Sequence, residues 1–394
     1  MAKTQKSISD IIVSSFRKNI RQYTMVIALL AICIIFTLLT KNIFITPRNL
    51  SNLFLQTISV AIVAVGMTLV IVSGNIDLSV GSVAGFTGAV AAVLQVNYGW
   101  GTPPAILATL LVGLVIGAWH GFWISYQKVP AFIVTLASML AFRGAILGIT
   151  GGATVSPMQD GFKAIGQGYL PSLFSSSSAF NDTSFYFAVI CIILFVVGEL
   201  RKRASRVKYG FEVLPAGLEA SRLFLLSLAM AAFFFIMITY KGIPYSVILL
   251  LGIVVFFSFI SENTVFGRHL YAIGGNSDAA RLSGINIERS LMKLYMIFGI
   301  LTAVSGIVMT ARLNAATTSA GVNMELDAIA AAVIGGTSLL GGEGTVFGAI
   351  VGAFIMASLD NGMSLMNMDI NYQYIIKGLI LLLAVWGDIA SRRK

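Results

Sequence analysis

The chain has 394 residues, of which 57% are hydrophobic and only 11% charged, and it carries a net charge of +10. An ordinary soluble domain has roughly 25% charged residues, so this composition excludes a soluble globule of this size, and it excludes an intrinsically disordered chain. Two cysteines, Cys33 and Cys191, both inside apolar runs, exclude a disulfide scaffold and read as small core residues.

At about 20 apolar residues per span, the chain can supply about ten to twelve membrane helices. The expected fold class is therefore all-α, a polytopic membrane protein. Residues 1–22 are polar and basic, with Lys3, Lys6, Arg17, Lys18 and Arg21. The apolar run 23–40 is long for a signal-peptide core, and no A-x-A-like cleavage site follows it, so it reads as a retained first span. Further spans are predicted over 53–73, 80–96, 104–125, 130–150, 184–200, 223–240, 243–261, 294–312, 326–341, 345–361 and 373–388. The short pieces near 80 and 345 are candidates for half-helices.

Placing the N-terminus inside puts nineteen Lys and Arg in the inside connections. Four (Lys41, Arg48, Lys163, Lys241) fall outside, and Arg143, Arg312 and Lys377 lie in or at spans. This bias is the positive-inside pattern, and it sets both termini on the cytoplasmic side. It accounts for the net charge without nucleic acid as a partner.

Two polar excursions interrupt the spans. Segment 151–183, on the outside, is rich in Gly and Ser, includes the serine run 175–178, and reads as a loop or linker. Segment 262–293, on the inside, reads as ordered. Glycines recur every fourth residue at Gly113/Gly117/Gly121, Gly144/Gly148/Gly152 and Gly344/Gly348/Gly352, a spacing that lets membrane helices pack closely. Stretches 77–85 and 341–348 echo each other: an acidic residue and glycines break one apolar run and open the next. Paired Gly-interrupted segments in the two halves of a chain point to a transport path.

Within the inside excursion, Ser277 suits an N-cap, Asp278 the first turn, and Gly284 the position after the helix end. The helix between them is under two turns and too short to be stable alone. It must dock on something, and Ala279, Ala280 and Leu282 offer a small apolar surface. Docking on its own chain and docking on a partner are both open readings.

The run Gly274, Gly275, Asn276, Ser277, Asp278, Ala279, Ala280, Arg281, Leu282, Ser283, Gly284 resembles the cytoplasmic loop of permease subunits of bacterial sugar ABC importers, the ribose/xylose/arabinose/galactose branch. Ile76-Asp-Leu-Ser-Val-Gly-Ser82, the 128–144 stretch and Glu325-Leu-Asp-Ala-Ile-Ala-Ala-Ala-Val-Ile-Gly-Gly-Thr-Ser338 are similar to further motifs of that family, in the same order. Asn75 stands where the family more commonly has a second glycine. Thr154-Val-Ser-Pro157, the 353–364 stretch and the added length between about 170 and 240 look like the xylose-type members. The resemblance implies a single ABC-importer-like permease domain over 1–394, with 1–22 a cytoplasmic N-terminal segment, 184–240 a two-span insertion and 262–293 a cytoplasmic coupling loop. It also implies D-xylose or a related pentose as the cargo. The implied partners are a cytoplasmic ABC ATPase that receives the 274–285 loop helix, a periplasmic sugar-binding protein, a second permease copy and membrane lipid. The implied location is the bacterial inner membrane.

A nucleotide-binding P-loop needs G-x-x-x-x-G-K-[ST]. None of the twelve lysines follows a glycine, so the chain is not itself the ATPase. It is expected to be a transport subunit, not an enzyme, with no cofactor of its own. Asp77, Glu325, Asp327, Glu343 and Asp360 lie at span ends or breaks, and Arg143 inside a span. A charge at the bilayer centre costs at least about 2.5–3.5 kcal/mol and so faces protein or water, and Arg143 is expected to pair with one of these carboxylates. Asp77, Ser79, Arg143, Thr337, Ser338, Glu343, Asp360 and Asn361 are the candidate path or broken-helix residues. His120, beside Trp119 and Trp123, and His269, in a basic loop, read as non-ligands, and no metal site is expected. Two other classes remain open: an ion-coupled secondary sugar transporter, which would not need a docking helix, and a membrane enzyme, for which no residue pair has a recognisable spacing.

Overall fold

The computed structural model describes residues 20–173, 181–211 and 213–392. Most of the basic segment 1–22 and the serine run 175–178 lie outside the described residues. In chain order the helices are α1 (Ile20–Leu39), α2 (Pro47–Val72), α3 (Val80–Val96), α4 (Thr102–Gly121, continued by a π turn, Phe122–Tyr126), α5 (Ala131–Thr150), α6 (Asp160–Gln167), α7 (Asp182–Lys208) and α8 (Ala216–Ile238). They continue with α9 (Tyr245–Asn263), α10 (Val265–Gly275), α11 (Ser277–Leu282), α12 (Ile287–Leu313), α13 (Met324–Ile334), α14 (Val346–Leu365) and α15 (Ile370–Arg392). Among the described residues, nine helices are long and apolar enough to cross a membrane, and α1 and α3 are shorter apolar helices. The chain is a multi-pass, all-helical membrane protein.

The expected span 326–341 is helical only over Met324–Ile334, about 17 Å at 1.5 Å per residue, against a hydrocarbon core of about 30 Å. The half-helix is therefore α13. The piece at 345, which opens the 20-residue helix α14, is full length. Glycines end α13: Gly336, Gly341 and Gly342 adopt φ of +85°, +85° and +74°, a left-handed backbone that glycine takes without a Cβ penalty and that stops a helix.

Burial sorts the helices. The apolar windows of α2 and α12 are 89% and 78% buried, whereas those of α7 and α15 are 11% and 0% buried. Hence α2 and α12 form the centre and the others the rim. The sequence of α2 explains its place: Ala, Val, Ile and Gly surround it on all sides, as befits a helix enclosed by others.

The glycine stripe on α4 sets the closest crossing. A Cβ on Gly117 would stand 2.2 Å from the Tyr295 carbonyl, and one on Gly299 2.1 Å from that of Gly113. By contrast a Cβ on Gly144, Gly148 or Gly152 would meet nothing within 4 Å among the described residues, so the same spacing on α5 does not serve packing against them. Gly117→Val is expected to force α4 from α12 and to destabilise by about 1–3 kcal/mol or more. Gly148→Val is expected to stay within about 0.5 kcal/mol. Thermal unfolding in detergent compares the two, and equal shifts would refute this account of the crossing.

Segment 151–183 is more than a linker. It carries α6, which packs on α12, and it makes isolated bridges Val155↔Ala316 and Tyr169↔Pro244. The α12–α13 connection folds back along α3. A Cβ on Gly81 would meet the Gly321 carbonyl at 2.2 Å, and one on Gly85 the Ala320 carbonyl at 2.6 Å. Irregular backbone inside a helical membrane bundle needs protein partners for its polar groups.

Candidate functional site

The polar segment between α9 and α12 is built from its caps. Thr264 accepts from the Gly267 amide and opens α10. Asn276, not Ser277, caps α11, accepting from the Ala279 amide at 2.9 Å. Its extended backbone leaves the carboxamide free to reach the first turn, and Ser277 is already the first helical residue. At the other end Ser283 is the C-cap and Gly284 has φ +85°. The Gly284 amide donates to Arg281 and that of Ile285 to Ala280, the Schellman arrangement.

The apolar surface of α11 divides. Ala280 is buried against its own chain, whereas Ala279 is exposed and Leu282 is 89% exposed. Ser277, Asp278 and Ser283 are also exposed. Arg281 lies 3.4 Å from Glu288, and Lys128, in the α4–α5 connection, 2.6 Å from the same carboxylate. The helix thus rests on Ala280 and projects Leu282.

Behind it, α10 ends at a glycine junction. The Gly342 amide donates to the Val72 carbonyl at 2.9 Å. A Cβ on Gly274 would fall 1.8 Å from that carbonyl and 2.8 Å from the Gly342 nitrogen. Gly275 lies against Gly342 from the other side. Tyr271 on α10 donates its hydroxyl to the Gly344 carbonyl at 2.8 Å, and burial pushes its phenol above the ordinary pKa, so it remains a donor. The two Gly-interrupted breaks, after α2 and after α13, therefore meet each other and the root of α11 at backbone contact.

The candidate path residues on the helix breaks and on α14 fall at three places. Asp77 and Ser79 occupy the break before α3. Asp77 is buried and accepts from the Ser79 amide at 2.8 Å and its hydroxyl at 2.6 Å. Thr337 and Ser338 are fully buried in the break after α13; the Ser338 amide donates to the Glu343 carbonyl, and the Glu343 side chain is exposed. Asp360 and Asn361 lie near the far end of α14. Asn361 exchanges hydrogen bonds with Asn49, at 2.8 and 3.1 Å.

Arg143 corrects the expectation of a carboxylate partner. Its Nη1 donates to the Ala320 carbonyl at 2.9 Å, so it satisfies the folded-back backbone between α12 and α13. Glu325, one turn further, feels its charge without forming an ion pair within 4.0 Å among the described residues.

Sequence reasoning missed three partners. His120 Nδ1 is 3.7 Å from Asp77 Oδ2, and its Nε2 and the Tyr295 hydroxyl are buried without hydrogen-bond partners among the described residues. Together with Ser79 and Thr302 they line a small cavity of about 10 Å³, the room of about one water. Lys377 bridges Asp327 at 2.7 Å and Asp360 at 3.0 Å, joining α13, α14 and α15. A lysine inside an apolar run was the available signal for this triad, and a histidine between two tryptophans was the signal for the other.

Comparisons with known proteins extend this picture. The family model described as "Branched-chain amino acid transport system / permease component" matches residues 49–385. The xylose transport system permease protein XylH of Escherichia coli is 46% identical over 376 residues, which cover 95% of this chain and 93% of that protein. Its Haemophilus influenzae counterpart is 44% identical over 95% and 98% of the two chains. The ribose import permease protein RbsC of Escherichia coli is 36% identical over 92% of each. No solved structure matches.

Proposed function

The chain belongs to the family of branched-chain amino acid transport system permease components, and from that premise we propose that it is the membrane-spanning subunit of an ATP-driven importer for a sugar, D-xylose or a related pentose. The likeness to permeases named for xylose and ribose supports the sugar class. The observation that carries the mechanism is the glycine junction, where α10 touches both breaks at backbone contact and adds the Tyr271 hydrogen bond to Gly344.

In this reading the chain is one transmembrane domain of the bacterial inner membrane, with α7 and α8 an inserted hairpin and both termini cytoplasmic. A separate cytoplasmic ATPase receives α11 and uses the ATP; this chain holds no cofactor. A periplasmic protein delivers the sugar, and a second permease copy completes the assembly. When the ATPase subunits close, α11 moves with them through Leu282 and Arg281. The stiff link of α10 passes that movement to the breaks at 74–79 and 335–345. Opening at one end and closing at the other is then a shift between two states, driven by the difference in their affinity for the closed ATPase.

Copurification tests this. Arg281→Glu removes an exposed ion pair worth about 0–1 kcal/mol to the fold but reverses charge on the docking helix. Gly284→Pro forces φ from +85° toward about −65°. Each is expected to lower recovery of the cognate ATPase about tenfold, the equivalent of about 1.4 kcal/mol, with membrane insertion unchanged. Wild-type recovery with both variants would refute the docking assignment.

A further inference from the structure

A second, larger cavity of about 260 Å³ lies at the ends of the central helices, on the face opposite α11. The first turns of α2 contribute Asn52, Leu55 and Gln56, the last turn of α12 contributes Arg312, and Gln167, Tyr169 and Lys241 close it from the loops. Asn52 and Gln56 are four residues apart and share one helix face. They are exposed on α2, the helix that is otherwise the most enclosed in the bundle. Two carboxamides on the open face of a central helix mark a space meant for water or a polar guest rather than for lipid or core.

The walls are held in place. Gly166 lets the end of α6 lie on α12, where a Cβ would fall 2.3 Å from the Arg312 nitrogen. Gln167 then donates to the Arg312 carbonyl at 2.8 Å, which leaves its amide oxygen as an acceptor. The backbone on both sides of Tyr169 pairs with 243–245, Leu170 N to Ile243 O at 2.9 Å and Tyr245 N to Gly168 O at 3.0 Å. Lys241 stands 5.7 Å from the Tyr169 ring centroid.

The chemistry of the lining suits a neutral polyol. Arg312, whose Nε is buried without a partner among the described residues, and Lys241 donate. Three carboxamides both donate and accept, and Tyr169 adds a ring face. No carboxylate lines the cavity among the described residues, so nothing there would hold a metal ion. One turn deeper on α2, Ser305 Oγ donates to the Ser59 carbonyl at 2.8 Å, and the Ser59 hydroxyl is itself unpartnered; polar groups thus continue inward along the α2–α12 seam.

We propose that this cavity is a sugar-binding station at the outer mouth of the chain, in which Gln56, Gln167, Arg312 and Lys241 hold the hydroxyls of a pentose handed over by the binding protein. The assignment rests on the reading of the chain as a sugar permease. Binding is expected to be weak, because the cavity is open and must release its guest inward.

The test uses the full chain in lipid nanodiscs, with Cys33 and Cys191 replaced by serine and Asn52→Cys or Leu55→Cys, which line the cavity without being among the four holding residues, introduced singly. Labelling by a membrane-impermeant maleimide is followed with D-xylose, sodium succinate or sodium chloride present. At a xylose concentration of about twice its Kd, labelling of either cysteine should slow about threefold, and Arg312→Gln should abolish that protection. Unchanged labelling by xylose at both positions overturns the proposal, as does protection by succinate alone, which would make the cavity an anion site. Cysteines that no maleimide reaches overturn it as well. Xylose uptake by the wild-type chain, assembled with its ATPase and binding protein, is measured separately. Uptake without protection refutes the station and leaves the transporter reading intact, whereas absence of uptake for both xylose and ribose refutes that reading.

Discussion

Lys377→Met should destabilise the protein by about 3–5 kcal/mol, the usual cost of removing one partner from a buried ionic group. Lys377 and Asp327 are each only 16% exposed, and the lysine contacts both Asp327 and Asp360. Without it, two carboxylates face each other in the apolar part of the bundle with no cation between them. The three helices they join are the half-helix α13, α14 and the rim helix α15, so the loss should appear first as detachment of α15. Thermal unfolding in detergent and protease sensitivity near residue 370 report this. Placing Lys377→Met on top of Asp327→Asn and Asp360→Asn should recover most of the lost stability, since neutral carboxamides need no cation. A single variant that unfolds like wild type would mean that water, rather than Lys377, carries these charges.

Gly274→Ala should lower sugar uptake about 5–150-fold, the range expected when a coupling free energy of about 1–3 kcal/mol is lost. The added methyl collides with the Val72 carbonyl at 1.8 Å and approaches the Gly342 nitrogen at 2.8 Å. Both are backbone atoms, so neither can turn aside as a side chain could. Relief requires α10 to lift from both breaks, which separates the root of α11 from them. The neighbouring Gly275→Ala meets nothing within 4 Å and should transport normally. Uptake in vesicles with the ATPase and binding protein present distinguishes the two. ATP hydrolysis should persist in the Gly274 variant, because the ATPase itself is untouched. Equal uptake by both variants would remove the junction from the mechanism.

The span pattern and the left-handed turn at Gly284 were readable from the amino-acid order, whereas of the three apolar residues expected to form the contact surface of α11 only Ala280 is buried against the chain. A membrane helix satisfies its backbone hydrogen bonds within its own run, so each apolar run announced a helix, although the helices at 184–200 and 373–388 extend beyond their runs and the one at 326–341 stops short of its end. Capping is equally local, which is why the end of α11 was legible, and why the one error there, Ser277 for Asn276, was a shift of a single residue. The break at Gly335 and Gly336 was written in the sequence too, but an apolar run that continued to 341 hid how early the helix stops.

What the tertiary structure decided was which faces meet. Gly113/Gly117/Gly121 and Gly144/Gly148/Gly152 have the same spacing, yet one stripe closes on α12 and the other on nothing. Asn49 and Asn361 pair across 312 positions of chain, Asp77 finds His120, and Lys377 finds two aspartates. Arg143 turns to a backbone carbonyl although five carboxylates were candidates. Periodicity states which residues share a face of one helix. The partner of that face depends on how distant helices pack, which is set jointly by the shapes of all of them. Composition and the spacing of apolar runs therefore determined a polytopic helical membrane protein, while the packing of α2 and α12 at the centre decided where its sparse charges could be satisfied.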